Sequence, residues 1–340
     1  MSFTIPEPKF SLPSVDEASP SMPAFPLSSG YDMPVVAYGT FRSEPNEVGP
    51  SVLTAIKAGY RHLDFAHVYQ NEREIGGALK EAFDSCLVKR EDLFITGKLW
   101  NSDHNVEIVP QACDHSLGNL GLDYFDLYLI HFPVAWKHTG LATPSWGSSE
   151  LGDTPLIDTW RAMEELVDAG KCRSIGVSNY PLVLLHDLVN QARIQPACNQ
   201  IEVHPYYTRE SLVNYCFSRN ICVTAHTPLG GGLANKELWN AEIPFDAEII
   251  QKIAASKKKS PAQVILRHHL QRGIVVLPKS VKAHRMAENK DLFGFFLSGE
   301  EMKQVSSLDK YISYKTNPNP LSGFLGGKDA FTRKGTDIFD

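Results

Sequence analysis

At 340 residues the chain is too long for a minimal domain and suits one large α/β barrel. Its 43% hydrophobic content is ample for a core, and a net charge of −6 argues against nucleic acid as the main partner, because phosphate binding needs clustered Lys and Arg. The six cysteines form no C-x-x-C, the twelve histidines form no H-E-x-x-H and lack partners at zinc spacing, and no apolar run reaches the ~18 residues of a membrane span. The expectation is a cytoplasmic protein with reduced thiols, no metal and no membrane segment.

Residues 1–24 are rich in Pro and Ser, carry Glu7, Asp16 and Glu17, and hold no Arg. That composition fits a flexible N-terminal extension rather than an Arg-rich, acid-poor presequence. Two short apolar stretches flank Ser28-Ser29-Gly30 and predict a β-hairpin ahead of the main body, lying over one barrel end. From residue 35 the chain alternates. Strand-like runs fall at 35–38, 61–65, 93–96, 125–130, 172–178, 197–203, 221–225 and 274–278, with helical spacing between them, as at 47–59, 71–83, 155–170 and 260–271. Ser260-Pro261 reads as a helix start, and Gly59 and Gly170 stand where helices should stop. The run Lys257-Lys258-Lys259 reads as the solvated end of a helix. Eight alternations predict a (β/α)8 TIM barrel over 25–310, with long loops at 132–154 and 226–244 on its C-terminal face and a C-terminal tail at 311–340.

Reactive groups of such a barrel belong at the C-terminal ends of its strands. Asp64 and Tyr69 follow the second run, Lys98 the third and His131 the fourth. Ser178 and Asn179 follow the fifth, Gln200 comes from the sixth, His226 from the seventh, and Lys279 and Ser280 from the eighth. Taken singly, Asp64 reads as a turn cap, Tyr69 as packing, Lys98 as a surface lysine and His131 as a core histidine. Taken together, they are an acid, a phenol, an amine and an imidazole able to protonate a carbonyl oxygen. An ammonium beside a phenol lowers its pKa, Asp64 pairs the ammonium, and His131 hydrogen-bonds the oxygen. No side chain donates a hydride, so a nicotinamide must.

The segments at 59–72 (GYRHLDFAHVYQNE), 97–100 (GKLW), 128–133 (YLIHFP), 175–180 (IGVSNY), 198–205 (CNQIEVHP), 224–230 (TAHTPLG) and 277–289 (LPKSVKAHRMAEN) occur in the order seen in the aldo-keto reductase superfamily. The chain resembles that family over about residues 25–310, nearly the whole barrel. The resemblance implies NADPH-dependent reduction of a small-molecule aldehyde or ketone, with Tyr69 as proton donor, Lys98 lowering its pKa, Asp64 pairing Lys98 and His131 orienting the carbonyl. It also implies that Ser178, Asn179 and Gln200 hold the nicotinamide carboxamide and His226 lies against the ring. Lys279, Ser280 and Arg285 would take the 2′-phosphate and Glu288 and Asn289 the adenine. Thr40, Leu229 and Val281 complete the implied cofactor contacts, the glycine-rich loop at 229–235 closes over the pyrophosphate, and the protein is a monomer or weak dimer.

Departures accompany the likeness. His226 stands where the family usually has a stacking Tyr, and Phe41 where a Trp is frequent. Phe41, Trp100, Phe132 and Trp136 are expected to wall the substrate pocket, with Trp146 in the same long loop. HFP, TPLIDTW and AGKCRSIGVSN are similar to the yeast xylose reductase subgroup, which implies aldose-like substrates. The tail follows no family pattern. Two other readings stand beside the reductase: a cofactor-binding regulatory or structural protein on the same barrel, with little turnover, and a barrel hydrolase using Asp64 as base.

Overall fold

A computed structural model of the chain describes residues 10, 12, 22–41, 43–142, 150–231 and 242–314. The expected extension apart from residues 10, 12 and 22–24, the tail beyond 314, Trp146 and residues 232–235 of the glycine-rich loop lie outside the described residues. An antiparallel hairpin opens the fold, β1 (Ala24–Pro26) against β2 (Asp32–Pro34). Gly30, at φ +88°, makes its turn, a backbone region open to glycine at no steric cost. The hairpin lies over the N-terminal end of the barrel: Phe25 and Met33 are buried, and the Ser29 and Ser174 hydroxyls are 2.7 Å apart.

Eight parallel strands follow in chain order: β3 (Ala37–Gly39), β4 (His62–Asp64), β5 (Phe94–Leu99), β6 (Phe125–Ile130), β7 (Cys172–Ser178), β8 (Cys198–Glu202), β9 (Cys222–His226) and β10 (Val275–Val276). A bridge between Val36 and Val276 joins last strand to first, and Gly39 N–H donates to the Pro278 carbonyl at 3.3 Å. β6 and β7 have the expected bounds, although neither is wholly apolar: Asp126 in β6 is paired with Arg90 and with Arg173 of β7.

The other six strands differ from expectation at one end or both, three of them in ways that bear on the site. β5 runs on to Leu99, so Lys98 lies within the strand, paired with Leu129 of β6, and does not follow it. Gly97 is a packing requirement of this strand: a Cβ there would come within 2.6 Å of the Phe125 ring. β9 ends on His226 itself, and β10 keeps only two residues of the expected five.

The outer layer comprises α1 (Val48–Lys57), α2 (Glu72–Asp84), α3 (Ile108–Leu120), α4 (Leu156–Asp168), α5 (Leu182–Gln191), α6 (Glu210–Ser218), α7 (Glu248–Lys257), α8 (Pro261–Gln271), α9 (Ala283–Lys290) and α10 (Gly299–Ser306). α8 starts as expected: the Ser260 hydroxyl accepts from Gln263 N–H, and the Gln263 side chain accepts from Ser260 N–H at 3.0 Å. Among the described residues no helix is long and apolar enough to cross a membrane.

His62, His104 and His269 are buried in this framework, and burial pushes them down to about 4, 3 and 3. They fold as neutral rings, so below the ordinary value near 6.5 the unfolded chain binds more protons. Stability present at neutral pH should fall as pH drops towards 4, by about 2 kcal/mol per ring at pH 5. Urea unfolding at pH 7 and pH 5 measures this; equal midpoints would contradict it.

Candidate active site

The site lies on the C-terminal rim, around a lysine that water does not reach. Lys98 is 0% exposed. A buried ammonium is tolerated only with a partner and filled hydrogen bonds. Asp64, last residue of β4, pairs with it directly, and the Phe65 carbonyl accepts from Nζ at 2.8 Å. The Thr40 hydroxyl, just past β3, donates to the Asp64 carbonyl at 2.9 Å and fixes the strand end that carries the carboxylate.

Tyr69 closes a single 3-10 turn, His67–Tyr69, held by Tyr69 N–H to the Ala66 carbonyl at 3.0 Å. Gln70 ends the turn in the left-handed region, φ +56°. The turn places the Tyr69 ring over Lys98, with Nζ 5.3 Å from the centroid. His131, the residue after β6, has its ring 5.9 Å from that of Tyr69. Asp64, Lys98, Tyr69 and His131 therefore converge on one rim, although 67 positions separate the first from the last.

The electrostatics differ from expectation in one respect. Burial raises the Tyr69 phenol well above its usual value near 10, and the Asp64 carboxylate raises it further. Burial also lowers the Lys98 amine, against the pull of Asp64. The reason is geometric: Nζ points at Asp64 and the Phe65 carbonyl, so its charge is largely spent on the carboxylate. The resting site thus holds a protonated phenol.

Ser178, Asn179, Gln200 and His226 form one network beside this group. Asn179 adopts φ +61°, a region that Asn tolerates better than most residues, and its Nδ2 donates to the His131 carbonyl at 2.9 Å. Its Oδ1 lies 3.0 Å from His226 Nε2. Ser178 Oγ donates to the Gln200 carbonyl at 2.8 Å, and Gln200 Nε2 donates to Asp64 Oδ2 at 2.8 Å. The four expected aromatics lie around this group: Trp100 is edge-on to His131, Phe132 and Trp136 at 5.1, 5.9 and 5.6 Å, and Phe41 lies 5.0 Å from Tyr69.

A second group follows β10. The Lys279 Cβ lies 3.7 Å from where a Cβ on Gly39 would be, which brings this segment against the end of β3. Tyr38 donates to the Ser280 carbonyl at 3.0 Å, and Ser280 Oγ accepts from Lys282 N–H at 3.1 Å. Val281 precedes α9, whose N-terminus has no side-chain cap and no acid in its first turn, where Arg285 is exposed; Glu288 and buried Asn289 sit further along. Unpaired helix N–H groups beside Lys and Arg suit a phosphate, and the amides and hydroxyl of the first group suit a carboxamide. Leu229, in the turn after β9, packs against core residues at the same rim. The donor set fits a nicotinamide dinucleotide phosphate.

One support had no reading in the sequence beyond a search for metal ligands. The His67 ring, two residues before Tyr69, lies 3.2 Å from Glu72 and 2.8 Å from the Leu141 carbonyl. Glu72 is itself buried and accepts from Ser116 and Asn119. Burial alone would lower His67, but Glu72 outweighs it and the ring is raised. A His and a Glu five residues apart, flanking the candidate Tyr, were the available signal. Among the described residues no cluster of His, Cys, Asp and Glu could hold a metal ion.

The profile of the Aldo/keto reductase family matches residues 36–310. The chain is 44% identical to the NADP-dependent D-sorbitol-6-phosphate dehydrogenase of Malus domestica, over 86% of this chain and 94% of that protein. It is 42% identical to the NAD(P)H-dependent D-xylose reductase of Scheffersomyces stipitis, over 85% and 94% of the two chains. The aldose reductase from Schistosoma japonicum superposes with a TM-score of 0.80 at 43% identity, covering 88% of this chain and 96% of that one.

Breaking the buried pair from one side strands a charge. Lys98→Met should cost about 3–5 kcal/mol of stability, and adding Asp64→Asn should recover much of it, since no uncompensated carboxylate then remains. Urea unfolding of the single and double variants measures the difference; equal losses would show that the amine does not hold the carboxylate.

Proposed function

The chain belongs to the aldo/keto reductase family, and on that premise we propose that Tyr69 protonates the carbonyl oxygen of an aldose or similar small aldehyde during its reduction. The protein is an NADP(H)-dependent oxidoreductase that acts on carbonyl groups. The observation that carries the finer reading is the buried Asp64–Lys98 pair beneath the Tyr69 ring.

Bound NADPH supplies the hydride that the carbonyl carbon accepts. Tyr69 supplies the proton. Its raised pKa makes it a poor acid towards water, yet an alkoxide is about as basic as hydroxide, whose conjugate acid has a pKa of ~15.7, so transfer from the buried phenol remains favourable. Lys98 lies against the ring face and stabilises the phenolate more than the phenol, so its charge acts as the proton leaves. His131 orients the carbonyl oxygen, and Phe41, Trp100, Phe132 and Trp136 exclude water, which strengthens each of these interactions. Ser178, Asn179 and Gln200 would hold the nicotinamide amide, with His226 beside them. Lys279, Ser280 and Arg285 would take the 2′-phosphate, and Glu288 and Asn289 the adenine. Leu229, Val281 and Thr40 would complete the cofactor contacts.

The names of the relatives favour sugar-like substrates: one acts on a sugar alcohol phosphate and the other on xylose. A panel of pentoses, hexoses, glyoxals and aromatic aldehydes, followed by loss of reduced-nicotinamide absorbance, tests the class. Tyr69→Phe should lower kcat by ~10²–10⁴-fold, the usual worth of a positioned general acid, while NADPH still binds by fluorescence titration. A Tyr69→Phe enzyme with near-normal kcat would remove Tyr69 from the mechanism. Arg285→Ala should weaken NADPH by ~10-fold and leave NADH nearly unchanged, as expected for loss of one charge-assisted contact to phosphate. An unchanged ratio of kcat/KM for the two cofactors would show that Arg285 does not read the phosphate.

A further inference from the structure

The geometry points to Gln200 as a positioning residue for the Asp64–Lys98 pair, through the hydrogen bond from its Nε2 to Asp64 Oδ2. The inference rests on the reductase reading and adds a role for this residue. Asp64 is buried, and each of its oxygens has a donor: Oδ1 takes Lys98 and Oδ2 takes Gln200 at 2.8 Å. The amide can face the carboxylate only through nitrogen, because Oε1 in that position would set acceptor against acceptor. Gln200 is itself fixed. Its carbonyl accepts from Ser178 Oγ at 2.8 Å and from Asn179 N–H at 2.9 Å, and β8 holds it in register between Ser178 of β7 and Thr224 of β9.

Two consequences follow. The second donor stabilises the carboxylate as an anion and stops it rotating away from Lys98, which in turn lies against Tyr69. With one Nε2 hydrogen held by Asp64, Gln200 offers the open site its Oε1 and no more than the second Nε2 hydrogen. The titratable groups around Asp64 are Lys98 of β5, Tyr69 of the 3-10 turn and His62 of its own strand, with Cys198 of β8 near Lys98. None of them replaces the donor at Oδ2.

Gln200→Glu and Gln200→Met separate this role from simple cofactor contact. The carboxyl group that Gln200→Glu introduces can donate to Asp64 only while protonated, and two carboxyl groups sharing a site hold one proton to unusually high pH. Gln200→Glu should therefore keep kcat within ~5-fold of the parent near pH 5.5 and lose ~10–100-fold by pH 8, the range expected for losing one hydrogen bond to a charge. Gln200→Met, which lacks the donor at every pH, should lose a similar factor throughout, with the acid limb of its kcat profile moved upwards. Each substitution also alters a proposed cofactor contact, so the Kd for NADPH, by fluorescence titration, should change by a similar factor at both pH values while the kcat of Gln200→Glu falls with pH. A Gln200→Glu profile parallel to the parent, or a Kd that weakens in step with the loss of rate, overturns the proposal. Absence of turnover in the parent enzyme would instead overturn the reductase reading.

Discussion

A lysine with no exposed surface sets the terms for the whole rim. Lys98 lies within a strand buried on both faces, and removing a charge from water costs several kcal/mol unless it is matched. Asp64 supplies the match from the neighbouring strand, and the parallel pairing that places Asp64 beside Thr96 brings the two side chains together. The carboxylate is fastened in turn by Thr40 through its backbone and by Gln200 through its side chain. Three separate strands thus supply partners for one acid, and the closed barrel is what holds those partners in place.

Around that pair the fold sorts chemistry by position. The groups proposed to handle a proton and a carbonyl come from or follow β4, β5 and β6, whereas amide and hydroxyl groups come from or follow β7 and β8. Cationic groups gather after β10, where α9 begins. The parallel arrangement points every strand end to the same face, so residues far apart in the chain share one opening. The N-terminal end, covered by the hairpin and tied by Ser29 to Ser174, carries none of the candidate groups.

Much of this was legible in the sequence, for a physical reason. Short strand-like runs alternate with stretches of helical spacing, so β6 and β7 could be read directly, and capping chemistry gave the start of α8 at Ser260-Pro261. The order of the motifs gave the family. What escaped notice depended on contacts distant in sequence. The Gln200–Asp64 bond spans 136 positions, and nothing local to Gln200 distinguishes an amide facing a carboxylate from one facing a ligand. The direction of the Tyr69 shift failed for a similar reason: the expectation weighed Lys98 alone, whereas the depth of burial and the side of Lys98 facing Asp64 are three-dimensional facts. The bracing of His67 by Glu72 and Leu141 needs a loop to fold back across the rim, which spacing along the chain does not reveal.

The barrel closes along its thinnest join. β10 has two residues, and the bond to the first strand is one bridge between Val36 and Val276, reinforced by Gly39 reaching the Pro278 carbonyl. Thr40 stands on one side of that join and Lys279 on the other. A ligand gripped from both sides would act as a rivet where the ladder is sparsest, so amide exchange in β3 and β10 should report occupancy more sensitively than exchange anywhere else in the sheet.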